Sequence, residues 1–191
     1  MRMKWKRSSQ MWGVVLWVLG AAVATTAQGQ SRTESFTAGQ RVKLSTRVPL
    51  GYSFEQETDS QGVTLIEMLN PVWRISLRVY ISGEVPAEAS KTEWQRNLVV
   101  QNSSMFLSQS KEQDYRWQAL VPEEGSGVYC VFSDARARKV SELPPDGFMH
   151  VVTGVKVIRG AVMYFQIWCN DMTVPEYQEI FDLLLYDFDR G

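Results

Sequence analysis

The stretch Met149-His-Val-Val-Thr-Gly-Val-Lys-Val-Ile-Arg-Gly-Ala-Val-Met-Tyr-Phe-Gln-Ile-Trp-Cys169 decides the fold class. Two runs of apolar alternation meet at Arg159-Gly160, the composition of a β-hairpin turn flanked by strands. With a three-residue loop, Ile158 to Gly160, the facing pairs are Val157–Ala161, Val155–Met163, Thr153–Phe165, Val151–Ile167 and Met149–Cys169, which makes one face almost wholly apolar. A two-residue loop sets Lys156 beside Met163 and Gln166 beside Thr153, mixing polar and apolar on both faces. A sheet with one buried side disfavours that, so the three-residue register is expected. Val128, Cys130 and Phe132 place a third strand before the hairpin. Beyond Asn170 the apolar period changes from two to 3.6. Thr173-Val-Pro-Glu176 has the form of a capping box, and Tyr177, Ile180, Phe181, Leu184 and Phe188 give a helix one apolar stripe. Three antiparallel strands closed by a C-terminal helix are therefore expected from Val128 to Phe188.

Before this unit, Val42–Val48 and Val63–Leu69 read as strands, with a turn at Pro49-Leu-Gly-Tyr52 and a stop at Asn70-Pro71. Trp73, Ile75, Leu77, Val79 and Ile81 alternate with Arg74, Ser76, Arg78 and Tyr80, the signature of a strand with one buried face. Pro86 opens a mid-chain helix whose apolar stripe is Ala89, Trp94, Leu98, Val99, Asn102, Met105 and Phe106. Tyr115, Trp117, Ala119 and Val121 suggest one more strand. The expected fold class is α+β: a curved antiparallel β-sheet packed with a mid-chain helix and a C-terminal helix.

The N-terminus reads as an address. Arg2, Lys4, Lys6 and Arg7 precede the apolar run Met11–Ala24, and Ala22-Val-Ala24 or Thr25-Thr-Ala27 offers small residues for cleavage. Residues 1–27 are read as a signal peptide and the protein as exported, to the periplasm or the extracellular space. The run is shorter than the ~20 residues that span a bilayer, which makes a retained anchor the weaker alternative. Residues 28–41, polar and short of aromatics, are expected to form a flexible leader, and residues 42–191 one domain. No membrane association is expected after cleavage.

The formal net charge is −1; without the four N-terminal cations it becomes −5. Such a balance, with no basic run, argues against nucleic acid as a partner, since that binding rests on clustered Lys and Arg. One histidine and two distant cysteines do not make a metal site, and no glycine-rich phosphate loop is present, so neither metal nor cofactor is expected. Cys130 and Cys169 would flank one strand about 10 Å apart at the ~4.8 Å strand spacing, too far for a disulfide, so two buried thiols are expected. His150 is the one histidine available to a Ser-His or Cys-His arrangement; in a strand beside Trp168 it reads first as a half-exposed strand residue.

Two surfaces are candidates for binding. The connection from Asp134 to Gly147 carries Arg136, Arg138 and Lys139, either as a binding loop or as a solvated link. The outward sheet face would gather Arg74, Arg78, Tyr80, His150, Tyr164, Gln166 and Trp168, residue types enriched at binding hot spots, unless a helix packs there and buries them for structural reasons.

Taken in order, a Pro-x-Gly-aromatic turn (Pro49, Gly51, Tyr52), a hairpin, a mid-chain helix, a strand meander and a terminal Pro-Glu-Tyr helix ending at Phe188 resemble the PsbP-like superfamily. That group includes DcrB-like envelope proteins and Eag-type secretion chaperones. The resemblance spans Val42 to Phe188 and implies an α/β sandwich. It also implies a non-catalytic binding or assembly factor, here of the bacterial cell envelope with a protein partner, and no shared catalytic residues. DcrB-like members are often lipid-anchored, whereas no cysteine follows the apolar run here. A small-ligand-binding domain is the alternative reading, and a hydrolase using His150 a third.

Overall fold

The computed structural model describes residues 31–38, 42–144 and 147–190; the expected signal peptide lies outside them. The chain runs β1 (Arg32–Ala38), β2 (Val42–Val48), β3 (Ser53–Thr58), β4 (Thr64–Asn70), β5 (Ile75–Ser82), α1 (Thr92–Leu107), β6 (Gln118–Leu120), β7 (Ser126–Ser133), β8 (His150–Ile158), β9 (Ala161–Cys169), α2 (Pro175–Tyr186) and β10 (Asp189–Arg190). Seven strands form one antiparallel sheet in the order β3-β4-β5-β9-β8-β7-β6, and β1-β2-β10 form a second, smaller one. The fold is α+β, as expected. Arg32–Ala38, inside the supposed flexible leader, is instead a strand paired along its whole length with β2, and it buries Phe36 and Ala38.

The central hairpin adopts the register that the sequence disfavoured. Ile158 pairs with Ala161, Lys156 with Met163, Gly154 with Phe165 and Thr153 with Gln166, around the two-residue turn Arg159-Gly160 with Gly160 at φ 91°. The expectation assumed one solvated face, and this sheet has none at its centre. On one side Ile75, Leu77, Val79, Met163, Phe165 and Ile167 meet Ile180, Leu183 and Leu184 of α2, together with Phe36, Leu44 and Phe188 from the region of the small sheet. On the other, Val128, Val155, Val157, Val162 and Tyr164 meet Leu98 and Val99 of α1. With both faces covered, alternation no longer selects a register, and satisfaction of the polar side chains matters more. Lys156, fully buried, donates from Nζ to the Asp187 carbonyl at 2.7 Å. Thr153 Oγ1 donates to the Tyr164 hydroxyl at 2.8 Å, and Gln166 Nε2 donates to the same oxygen at 3.0 Å.

Element ends differ from the sequence reading for local reasons. Asn70 Oδ1 accepts the N–H groups of Val72 and Trp73, folding residues 70–74 into a turn with Arg74 at φ 52°. β5 therefore begins at Ile75, and Trp73 leaves the apolar face. Pro86 does not open a helix: Ala89 and Lys91 donate back to Pro86 and Glu88 in isolated turns, and α1 starts at Thr92. The Thr173–Glu176 capping box is absent. Thr173 donates from both N and Oγ1 to Asp171 Oδ1, while Val174 occupies the N-cap and Pro175 supplies the pre-set φ of the first turn. Cys130 and Cys169 are both free and buried. Their partners on β8, Thr153 and His150, are an odd number of positions apart, so the thiols sit on opposite faces of the sheet.

Candidate functional site

At one pole of the molecule, where β7 and β9 end and β8 begins, a half-open cleft of about 760 Å³ lies between the C-terminal end of α1 and the connection from β7 to β8. Its aromatic wall is assembled from four elements. Phe106 of α1 stands edge-on to Trp168 of β9 at 5.1 Å and within 6.3 Å of Phe132 of β7, and Phe148 approaches Trp168 at 5.8 Å. Met105 stands at its mouth, largely exposed. Trp168 Nε1 is buried with no hydrogen-bond partner, an unmet donor within the wall.

The connection that forms the rim is held rather than loose. Asp134 N donates to the Met149 carbonyl, Ala135 N to Gln109 O, and Lys111 N to Ser133 O. Asp134 Oδ1 accepts the N–H groups of Arg136 and Ala137, Lys111 Nζ donates to the Ala137 carbonyl, and Ala137 is buried. Glu142 Oε2 accepts from Arg138 N and Lys139 N, closing a turn that ends in one turn of 3₁₀ helix, Val140–Glu142. This backbone scaffold leaves the cationic ends outside. Arg136 Nη2 donates to Gln109 Oε1 at 3.1 Å, its guanidinium stands 3.8 Å from Asp134, and its side chain is 77% exposed. Arg138 and Lys139 are exposed as well.

Of the residues proposed from sequence, Arg136 and Trp168 line the cleft. Arg74 braces it from behind: Nη2 donates to Gly147 O at 2.8 Å, and the guanidinium lies 6.0 Å from the Phe148 ring centroid. Arg78 does not join. It pairs with Glu67 at 2.7 Å on the outer part of the sheet. The proposed sheet-face cluster is divided by the hairpin register, because His150 faces Cys169 and so lies on the side opposite Arg78, Tyr80, Tyr164, Gln166 and Trp168. α1 covers the latter side, and Tyr164 and Gln166 are buried there for structural reasons.

His150 belongs to a different small group. Ser133 Oγ donates to Glu112 Oε1 at 2.9 Å while Ser133 N donates to Oε2 at 2.7 Å. With that hydroxyl proton committed to the carboxylate, the imidazole Nδ1, 3.1 Å from Oγ, acts as the donor. A nucleophilic serine requires the reverse, with its proton directed to the imidazole. Burial pushes the His150 pKa below its usual value; Glu112 and Asp171 work against that shift and Lys111 adds to it. The group ties the segment after α1 to the sheet. Among the described residues no three His, Cys, Asp or Glu side chains are placed to hold a metal ion.

Phe106, Phe132, Phe148 and Gln109 are the wall and rim residues that sequence reasoning did not assign to a site. Phe106 was legible as part of a helix stripe, but its meeting with Phe132 and Trp168 depends on strand order, which no local pattern encodes.

No protein-family model matches the chain, and no curated protein matches it. Among solved structures, the chain is similar to the solution structure of cyanobacterial PsbP (CyanoP) from Synechocystis sp. PCC 6803. The match has 15% sequence identity, covers 87% of this chain and 95% of that one, and has a TM-score of 0.49. No helix among the described residues is long and apolar enough to cross a membrane.

Proposed function

We propose that this chain is a non-catalytic binding domain of the cell envelope that captures an apolar side chain of a protein partner in the cleft beside α1. The observation that carries the reading is the cleft itself: an aromatic wall built from α1, β7, β9 and the rim connection, open to solvent and bordered by exposed cations. An apolar pocket with a polar, charged border has the anatomy of an interface centre and rim. The direction of the Ser133 proton supports a role without catalysis, and the basic residues followed by an apolar run at the N-terminus support export. A photo-crosslinking residue at Met105, exposed at the mouth, should trap a discrete partner from envelope extract, and Phe148→Ala should abolish the adduct without unfolding the protein. An adduct insensitive to Phe148→Ala would defeat the proposal.

A small apolar ligand is the second reading, favoured by the cleft volume, which falls among those of ligand pockets. Native mass spectrometry of the purified protein would show a bound small molecule in that case and none in the first.

A further inference from the structure

Nine large apolar side chains are well exposed among the described residues: Leu50, Leu69, Val72, Trp73, Val85, Met105, Val121, Val140 and Tyr186. Their distribution over the fold is uneven. Strand direction places Leu50 in the β2–β3 turn, Leu69 at the end of β4, Val72 and Trp73 in the β4–β5 turn, Met105 in the last turn of α1 and Val140 in the β7–β8 connection. All six belong to the pole at which the cleft opens. The opposite pole, with the β8–β9 turn, holds Val85, Val121 and Tyr186.

Within the first pole the β2–β3 and β4–β5 turns touch, since a Cβ on Gly51 would meet Asn70 Nδ2 at 3.4 Å. Together they present Leu50, Val72 and Trp73 at 63%, 82% and 46% exposure. Nothing in their own turns requires such residues. The 70–74 turn is held by the Asn70 side chain accepting two backbone N–H groups, and the 49–52 turn by Tyr52 N donating to Pro49 O, with Gly51 in the left-handed region. Polar side chains at 50, 72 and 73 would satisfy the same geometry, so the apolar ones point to an apolar environment outside the domain.

A second observation identifies that environment. β1 begins with Arg32 opposite Val48, the residue just before Pro49, so the chain enters the described domain beside these same turns. Ala24, the end of the apolar run that starts at Met11, stands seven positions before Ser31. An extended chain of that length reaches about 25 Å. Were the apolar run seated in a bilayer, a link of that length would bring the pole at which the chain enters the domain nearest the lipid. An indole flanked by two aliphatic tips suits the headgroup region, where tryptophan is enriched and apolar side chains enter only the outer hydrocarbon.

We infer that this pole is a lipid-facing surface, with Leu50, Val72 and Trp73 seated in the interfacial layer of a bilayer. Binding by the domain alone is shallow and reversible, three side chains being far short of a spanning segment. Its consequence is orientation: the cleft mouth is held near the membrane plane. Leu50, Val72 and Trp73 do not line the cleft, so the inference survives the failure of the proposed function.

The test uses the full chain bound to vesicles of phosphatidylcholine and phosphatidylglycerol. An environment-sensitive nitrobenzoxadiazole label is placed by Val72→Cys in one sample and by Val121→Cys, at the opposite pole, in another. Cys130 and Cys169 are buried and stay unlabelled in the native protein. The label at 72 should shift to the blue and be quenched severalfold more than the label at 121 when the lipids carry brominated acyl chains. Adding Leu50→Ser and Trp73→Ser should abolish most of that difference. Equal, water-like emission at both positions would overturn the inference. So would an equal blue shift at 72 in the absence of vesicles, which would mean that another protein copy covers the turns.

Discussion

Replacing Gly154 with alanine, in the parent and in a Phe165→Leu background, separates the two registers that the β8–β9 hairpin could adopt. In the observed pairing Gly154 faces Phe165, and a Cβ added there would lie 2.4 Å from Phe165 Cζ, 2.5 Å from the Val128 carbonyl oxygen and 2.7 Å from Tyr129 Cβ. The first contact is with the far end of a ring, which can tilt within its packing. The second is with backbone held in the β7–β8 ladder, which cannot give without loss of pairing. Overpacking of this kind costs about 2–3 kcal/mol. For a domain of this size each kcal/mol moves the melting temperature by about 2–4 °C, so Gly154→Ala should melt about 4–12 °C below the parent. In a Phe165→Leu background Gly154→Ala should cost less, though not nothing, because the carbonyl contact remains. In the slipped register Gly154 would face Tyr164 instead and the Phe165 contact would not exist, while the contacts with β7 would remain, so alanine should cost the same with and without Phe165→Leu. Thermal or urea unfolding of Gly154→Ala, Phe165→Leu and the double variant beside the parent decides it, and a Gly154→Ala loss independent of Phe165→Leu would refute the register and the pairing of Lys156 with Met163 that belongs to it.

The thiols of Cys130 and Cys169, pushed up to about 12 by burial, should resist iodoacetamide in the native protein at neutral pH and should both react after denaturation without reductant. Because burial depresses the His150 pKa, the unfolded chain binds a proton there more readily than the folded one. Stability should therefore fall as the pH drops from about 6.5 towards the folded-state value, and His150→Gln should flatten that slope in urea titrations at several pH values. Changing Arg136, Arg138 and Lys139 to glutamate should slow association with a partner trapped at the cleft and weaken its salt dependence. Melting should hardly change, since the backbone contacts of Asp134 and Glu142 hold the rim without these side chains.

Apolar alternation made the strands legible, and the change of period made α2 legible, because each pattern is carried by residues close in sequence. Register was not legible. Val151, Val152, Val155 and Val157 put apolar groups on both faces of β8, so periodicity cannot distinguish the two pairings once α1 and α2 cover both sides. What distinguishes them is long-range: the Asp187 carbonyl for Lys156, and the Tyr164 hydroxyl for Thr153 and Gln166. β1 escaped notice for a related reason. As an outer strand of the small sheet it buries little beyond Phe36 and Ala38, so its sequence resembles a polar leader although its backbone is fully paired. The cleft was half legible. Arg136 lay in a long connection and Trp168 in an amphipathic strand, but the wall they share with Phe106 and Phe148 exists only because β9 sits between β5 and β8.

The two poles divide the work of the fold. Where β8 turns into β9 the link is two residues long, and the core there is closed by Lys156 and the chain end beyond α2. The opposite pole carries the long β7–β8 connection, the end of α1 and the two apolar turns. Lengthening a surface connection costs little entropy, about 0.6 kcal/mol per doubling, so a long link here is thermodynamically cheap. The expensive part is order, and this chain has supplied it: Asp134, Glu142, Lys111 and Arg74 all spend polar contacts on holding the connection and Phe148 in place. A connection serving only to join β7 to β8 would not need four side chains to fix it. Phe148→Ala tests that reasoning apart from any partner: with the wall residue gone, the melting temperature should fall by only a few degrees, as expected for a half-buried ring outside the main core. A loss as large as that expected for Gly154→Ala would place Phe148 in the stability of the fold and remove the case for a wall kept for binding.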